Sequence, residues 1–184
     1  VELISKFKPM YSEGYRYCIC TGGRGSSKSF HVSDFLLKLT YEEGHVILFT
    51  RYTLTSANLS IIPEFIEKIE LYGVEDSFEV TKTEIVNKHT GSKIIFRGIR
   101  TSSGNQTAAL KSIQGVTTFV LDEAEELVDE EIFDKINESV RKKGIQNRVI
   151  VILNPTTKEH WIYKRFYEDA MVQAGECTVK GDTV

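Results

Sequence analysis

Apolar residues in this chain alternate between short dense runs and longer stretches with helical spacing. Tyr15–Cys20 is the first run of strand length, and Val32, Phe35, Leu36 and Leu39 then fall on one helix face, predicting a helix to about Thr40. His45–Thr50 (HVILFT) has the pattern of a parallel strand buried on both faces, and Arg51 stands directly at its end. Ile62, Phe65, Ile66 and Ile69 give the i, i+3, i+4, i+7 spacing of a helix that starts near Pro63 and stops near Gly73. Two β segments, Phe78–Asn87 and Lys93–Arg97, flank His89-Thr90-Gly91 as a hairpin, and the polar stretch Gly98–Leu110 reads as a loop. Thr117–Leu121 and Arg148–Leu153 are two more buried strands. Between them a helix is expected over Glu131–Lys143, with Ile132, Phe133, Ile136 and Val140 inward and Gly144 at its end. Trp161–Ala170 reads as a helix, Cys177–Lys180 as a last strand, and residues 1–14 as a lead-in anchored by Phe7, Pro9 and Tyr11. Strands alternating with helices predict one α/β domain over residues 1–184, with a mainly parallel sheet flanked by helices.

Between the first strand and the first helix, Thr21–Ser29 reads TGGRGSSKS. Strand, glycine-rich turn, Lys-Ser and helix is the layout of a phosphate-binding loop. Gly22, Gly23 and Gly25 let the backbone curl, so that the segment through Arg24, Ser26 and Ser27 can aim successive N–H groups at an anion. The helix N-terminus adds partial positive charge, Lys28 can reach terminal phosphates, and the Ser29 hydroxyl can ligate Mg2+. One position departs from the usual pattern: Ser27 stands where Gly normally precedes the Lys, which predicts a steric cost at positive φ. A flexible surface loop is the competing reading of so short a motif.

A second element bears on that choice. The apolar strand ending in Leu121 runs straight into Asp122 and Glu123. A strand that delivers an Asp to the carboxyl edge of the sheet can place it on the Mg2+ held by the loop serine, and the next carboxylate can orient or deprotonate an attacking water. Seven carboxylates lie between Asp122 and Glu131, and acids also favour helix N-termini. Glu125, Glu126, Asp129, Glu130 and Glu131 are assigned to that capping role. A third strand ends in Asn154-Pro155-Thr156-Thr157, where a γ-phosphate sensor and an ordinary Asn-Pro turn are both open.

Composition narrows the class only a little. The net charge of −3 argues mildly against a dedicated nucleic-acid binder, without excluding a local patch. Three cysteines cannot all pair, and Cys18 and Cys20 on one strand face suit buried thiols better than a disulfide. The four histidines are scattered and suggest no metal cluster, and no apolar run reaches membrane-spanning length.

Taken together, TGGRGSSKS, VLDEAEE and VILNPTT resemble, in order and spacing, the ATPase domain of the large terminase subunit of tailed double-stranded DNA bacteriophages. Phe96-Arg97-Gly98 and Leu110–Gly115 fit as well, and the resemblance covers about Tyr15 to Ile162. It implies a P-loop NTPase fold of ASCE type and ATP hydrolysis, with Mg2+, coupled to translocation of double-stranded DNA into a procapsid. By the same resemblance Lys28 and Ser29 are the phosphate and Mg2+ residues, Asp122 holds the metal, and Glu123 is the catalytic carboxylate. Arg24 matches a loop arginine that acts on the γ-phosphate in cis. Asn154, Pro155 and Thr156 match the motif that couples hydrolysis to movement, and Lys111 falls where related motors carry a basic residue acting on a neighbour's nucleotide. Implied partners are DNA, a portal protein, a small terminase subunit and further copies in a ring, in the host cytoplasm during virion assembly. The family continues into a metal-dependent nuclease domain. Nothing after Asn154 supplies its acids, so an ATPase domain alone is expected.

Three other readings remain in view. A GTPase switch would need an Asn-Lys-x-Asp motif, and here Pro155 follows Asn154. A helicase is closer, through Asp122-Glu123-Ala124-Glu125, yet it requires a second lobe. A P-loop domain that binds nucleotide only to assemble is the third, against which Glu123 argues. Arg141-Lys142-Lys143 with Arg148, and Lys158 with Lys164 and Arg165, are the basic clusters available for weak, salt-sensitive DNA contact. Phe7, Pro9 and Tyr11 are the candidates for contact with a nucleotide base.

Overall fold

The computed structural model describes residues 4–53, 55, 57–101, 104, 105, 107–155, 157–168 and 178–184. The chain runs through β1 (Tyr17–Thr21), α1 (Lys28–Leu39), β2 (Val46–Thr53), α2 (Ile62–Tyr72), β3 (Phe78–Val80), β4 (Glu84–Asn87), β5 (Lys93–Thr101), β6 (Gly104–Asn105), α3 (Thr107–Lys111), β7 (Thr118–Leu121), α4 (Glu130–Asn137) and β8 (Arg148–Leu153). Tight 3-10 turns occupy Ser5–Tyr11 and Ala124–Glu126.

The sheet order is β1-β8-β7-β2-β5-β4-β3, with β6 beside β5. Neighbours from β1 to β5 pair in parallel, and β4 and β3 add antiparallel strands at one end. The alternation of side chains explains why the central runs are apolar throughout. On β8, Ile150 and Ile152 face a core shared with α1 and α2, while Val149, Val151 and Leu153 face a second core beneath α3 and α4. Phe49, Phe65 and Phe96 lock α2 onto the first face, with ring centroids 5.5–6.0 Å apart. β8 separates the strand bearing the glycine-rich loop from the strand bearing the acidic pair. Parallel pairing brings the carboxyl ends of β1, β8, β7 and β2 to one edge of the sheet.

Several sequence expectations shift in detail. Phe78–Asn87 is two strands, because Thr81 turns the chain and its hydroxyl accepts from the Thr83 and Glu84 N–H groups. β5 runs on to Thr101, and the stretch expected as loop also holds β6 and α3. In α2, Ile66 is exposed and Lys68 is buried instead, at 1% exposure, with its ammonium on Glu64 and 4.2 Å from the Phe30 ring centroid. The helix expected over Glu131–Lys143 ends at Asn137, although Ile132, Phe133, Ile136 and Val140 are all buried as expected. Arg16 takes the Asn137 and Val140 carbonyls, and the Asn147 side chain clamps both backbone groups of Lys142, so the chain leaves the helical path.

After β8 the chain turns helically through Trp161–Tyr167, and residues 169 and 170 of the expected helix lie outside the described residues. Cys177 also lies outside them. The last pairing is at Thr183, bridged in parallel to Tyr17, with the Val184 N–H on the Tyr17 carbonyl. Cys18 and Cys20 are buried thiols with their sulfurs 3.8 Å apart and no disulfide between them.

Each basic cluster is partly engaged with the protein itself, while Arg141, Lys143, Lys158 and Lys164 are exposed. Arg148 is 7% exposed, between the Tyr15 and Phe35 rings, and Lys142 donates to the Gly44 carbonyl. Arg165 bridges Glu130 and Asp134 of α4.

Candidate active site

The glycine-rich loop leaves β1 at Thr21 and enters α1 at Lys28. Its tight turn is closed by the Ser26 N–H on the Gly23 carbonyl, and Gly25 has φ 77°. Ser27 has φ 62°, the left-handed conformation in which a side chain is disfavoured. The sequence predicts this cost, and the fold imposes it. Lys28 folds back over the loop. Its ammonium donates to the carbonyls of Gly22 at 2.5 Å and Gly23 at 3.1 Å, to Ser26 Oγ at 3.1 Å, and to Asn154 Oδ1 at 3.4 Å.

Across β8, the strand β7 delivers Asp122 to the same edge. Asp122 is 2% exposed, and burial pushes its carboxyl above the ordinary range, with Arg51 pulling the other way. Arg51 extends from β2, whose Thr50 pairs with Leu121. Its Nε donates to Asp122 Oδ2 at 2.7 Å, Nη2 lies 3.4 Å from Glu123 Oε1, and Nη1 donates to Ser60 Oγ at 2.8 Å. Glu123 has φ 52°, the second non-glycine left-handed residue among those described. That reversal opens the 3-10 turn Ala124–Glu126, which buries Ala124 completely and returns Glu125 toward the end of β8.

Arg24, Ser29, Arg51, Asp122, Glu123 and Asn154 share one cleft of about 350 Å³, together with Gly25, Ser26, Ser27, Lys28 and Glu125. The loop, the acidic pair and Asn154 are therefore brought together on one cleft. Gly22 and Gly23 meet the site through their carbonyls on Lys28. Pro155 follows the cleft as an exposed residue, and Thr156 lies outside the described residues. Lys111, at the exposed end of α3, does not line the cleft.

Two residues of the site have roles that the sequence does not reveal. Arg51 directly follows the apolar run His45–Thr50, on the edge where Asp122 is expected, which is the available signal, and β2 carries on past it to Thr53. Glu125, expected as a helix cap, has a different partner. The cap of α4 is Asp129, which accepts from the Glu131 N–H, whereas Glu125 binds Asn154. A second cavity lies on the far side of Lys28, lined by Phe7, Pro9, Met10, Ile19, Phe166 and Tyr167 among others. Tyr11 does not line it. Its hydroxyl donates to Asp34, and its ring packs edge-on to Phe35.

The profile of the phage terminase large-subunit family matches residues 15–183. The PBSX phage terminase large subunit of Bacillus subtilis (strain 168) is 26% identical over 178 residues, covering 91% of this chain and 40% of that relative. The chain thus spans well under half of the length of that protein. Among solved structures, the N-terminal domain of the DNA packaging ATPase from bacteriophage phi29 superposes with a TM-score of 0.70 at 14% identity, over 96% of this chain and 92% of that one. The large terminase of a thermophilic bacteriophage, solved in complex with ADP, superposes with a TM-score of 0.65 at 14% identity, over 84% of this chain and 37% of that one.

Proposed function

Because the chain belongs to the phage terminase large-subunit family, we propose that it hydrolyses ATP as the motor domain of such a subunit, coupling hydrolysis to the movement of double-stranded DNA into a procapsid. The observation that carries this reading is the convergence of Lys28, Asn154, Asp122 and Glu123 from three adjacent strand ends onto one cleft. Lys28 would exchange the Gly22 and Gly23 carbonyls for phosphate oxygens. Arg24, exposed at the loop tip, would approach the γ-phosphate from the same subunit. Glu123 would orient the attacking water and take its proton.

The donor set fits Mg2+. Ser29 and Asp122 supply hard oxygens on one cleft, and the buried Asp122 carboxylate already draws a cationic partner, Arg51. Bound there, the ion would neutralise charge on the phosphate oxygens. The cavity beyond Lys28, walled by Phe7 and Pro9, is the place for the base. Family membership supports action with a portal protein, a small subunit and further copies in a ring in the host cytoplasm, with Lys111 reaching a neighbour's nucleotide and the segment Asn154–Thr156 coupling hydrolysis to movement. No helix among the described residues is long and apolar enough to cross a membrane.

The test is calorimetric titration with Mg2+ and a slowly hydrolysed ATP analogue, followed by turnover assays. Binding by the wild type that disappears in Lys28→Ala, with Glu123→Gln binding normally but not turning over, is the expected result. Unchanged turnover in Glu123→Gln would overturn the assigned chemistry. Binding without turnover in the wild type would favour an assembly role.

A further inference from the structure

The geometry points to Glu125 as the residue that sets which end of the Asn154 amide faces the phosphate side of the cleft. We propose that it fixes Asn154 with Oδ1 presented to that side, so that this oxygen works there as a hydrogen-bond acceptor. This rests on the reading of the cleft as a nucleotide site.

The argument is one of donor and acceptor inventory. Glu125 Oε1 accepts from Asn154 Nδ2 at 2.7 Å, and its Oε2 accepts from the Asn154 backbone N–H at 3.2 Å. On the other side of the same amide, Lys28 Nζ donates to Oδ1 at 3.4 Å. An ionised carboxylate only accepts and an ammonium only donates, so both neighbours demand the same amide orientation. A half-turn of the amide would set Oδ1 against the carboxylate and Nδ2 against the ammonium, losing two charge-assisted bonds together.

Local structure makes the fork rigid. Glu123 in the left-handed region starts the 3-10 turn, Ala124 is buried under it, and the Glu126 N–H closes it on the Glu123 carbonyl at 2.9 Å. Pro155 restricts the backbone of Asn154 to extended conformations. One Nδ2–H is committed to Glu125, so only the second N–H of that amide is left for any other acceptor. The oxygen already facing inward can accept from Lys28 or from an attacking water. Glu125 is a positioning residue, since it acts through Asn154.

A reciprocal exchange tests this. In Asn154→Asp a second carboxylate faces Glu125, and kcat for ATP should fall roughly tenfold or more with little change in KM. Combining it with Glu125→Gln restores a donor opposite an acceptor, while the introduced aspartate still presents an oxygen to Lys28. The double variant should therefore recover to within about threefold of Glu125→Gln alone. An aspartate cannot donate, so a double variant no more active than Asn154→Asp would overturn the acceptor role.

The amide orientation is checked without turnover. The side-chain NH2 resonances of Asn154, identified by their loss in Asn154→Asp, should move strongly in Glu125→Gln in protein free of nucleotide. Resonances indifferent to that change would overturn the positioning role. A wild type that binds no Mg2+-nucleotide would sink the reading of the cleft instead, and the resonance measurement would still decide the amide.

Discussion

Arg51, near the carboxyl end of β2, and Asp122, directly after the paired β7, meet inside the sheet edge, where the Arg51 Nε donates to Asp122 Oδ2 over 2.7 Å. The carboxylate that the sequence marks for a metal is thus held by a protein cation, which also reaches Glu123. Any ion bound by Asp122 must compete with that guanidinium.

Replacing Arg51 by Met leaves a buried carboxylate without its principal counter-charge. Loss of one partner from a buried pair costs about 3–5 kcal/mol, so a clear drop in melting temperature is expected. Millimolar Mg2+ should raise the melting temperature of Arg51→Met more than that of the wild type, because the ion would then meet an unpaired carboxylate. Equal shifts in calorimetric melts of the two proteins would count against the competition.

Ser27 offers a cleaner test of backbone strain, since its side chain is exposed and makes no bond to the helix end it caps. A left-handed non-glycine residue costs about 1–2 kcal/mol, and the extra freedom of Gly in the unfolded chain offsets about 0.4–1 kcal/mol of any relief. Ser27→Gly should therefore stabilise by about 0.5 kcal/mol, and Ser27→Val should destabilise. Urea midpoints at constant slope measure both.

Acid sensitivity should begin in the imidazole range. Burial lowers the pKa of His31, against Asp34 and with Lys6, Lys68 and Lys38. Burial also lowers His45, against Glu42 and with Arg148 and Lys142. For a histidine depressed in the folded state, the unfolded chain takes up the proton first as pH falls below about 6.5. The folded state is then progressively disfavoured until its own, lower pKa is reached. Stability measured between pH 7.5 and 5 should fall, and His31→Asn with His45→Gln should flatten that fall at some cost in overall stability.

Arg16 closes the end of α4 from 121 residues away in sequence, donating to the Asn137 side-chain oxygen at 2.7 Å and to two main-chain carbonyls at 2.9 Å. Arg16→Ala should cost about 1.5–3 kcal/mol. Faster hydrogen exchange should be confined to the backbone near Asn137–Val140. Uniform acceleration across α1 as well would indicate a different role.

The central strands, α1 and the loop are legible in the sequence because their signals are local. A dense apolar run has few alternatives, and Gly22 to Ser29 carry their conformation in their own residue types. The strain at Ser27 is legible for the same reason. Arg16, Arg51 and Glu125 are not, because each takes its role from a residue more than 25 positions away, on a strand or helix whose place depends on the whole sheet. Periodicity over Glu131–Lys143 identifies the buried faces correctly, yet it misses the stop at Asn137, since the stop is imposed by Arg16 and Asn147 rather than by a breaker in the helix itself. The burial of Lys68 is invisible for a related reason. Its charge meets Glu64 one turn earlier in α2, and the Phe30 ring beside its ammonium is brought there only by the packing of α2 on α1.

The strand order has one more consequence, for tolerance of the chemistry to distant change. Strand β8 is gripped on both sides, with Thr21 opposite Leu153 and Leu121 opposite Val151. A slip of β8 by a single residue would carry Asn154 about 3.3 Å along the strand and turn it to the opposite face. Lys28 and Glu125 would lose it in the same movement. The alignment gauge of the site is therefore the interlocking of Val149, Ile150 and Val151 with the two cores, residues that do not line the cleft.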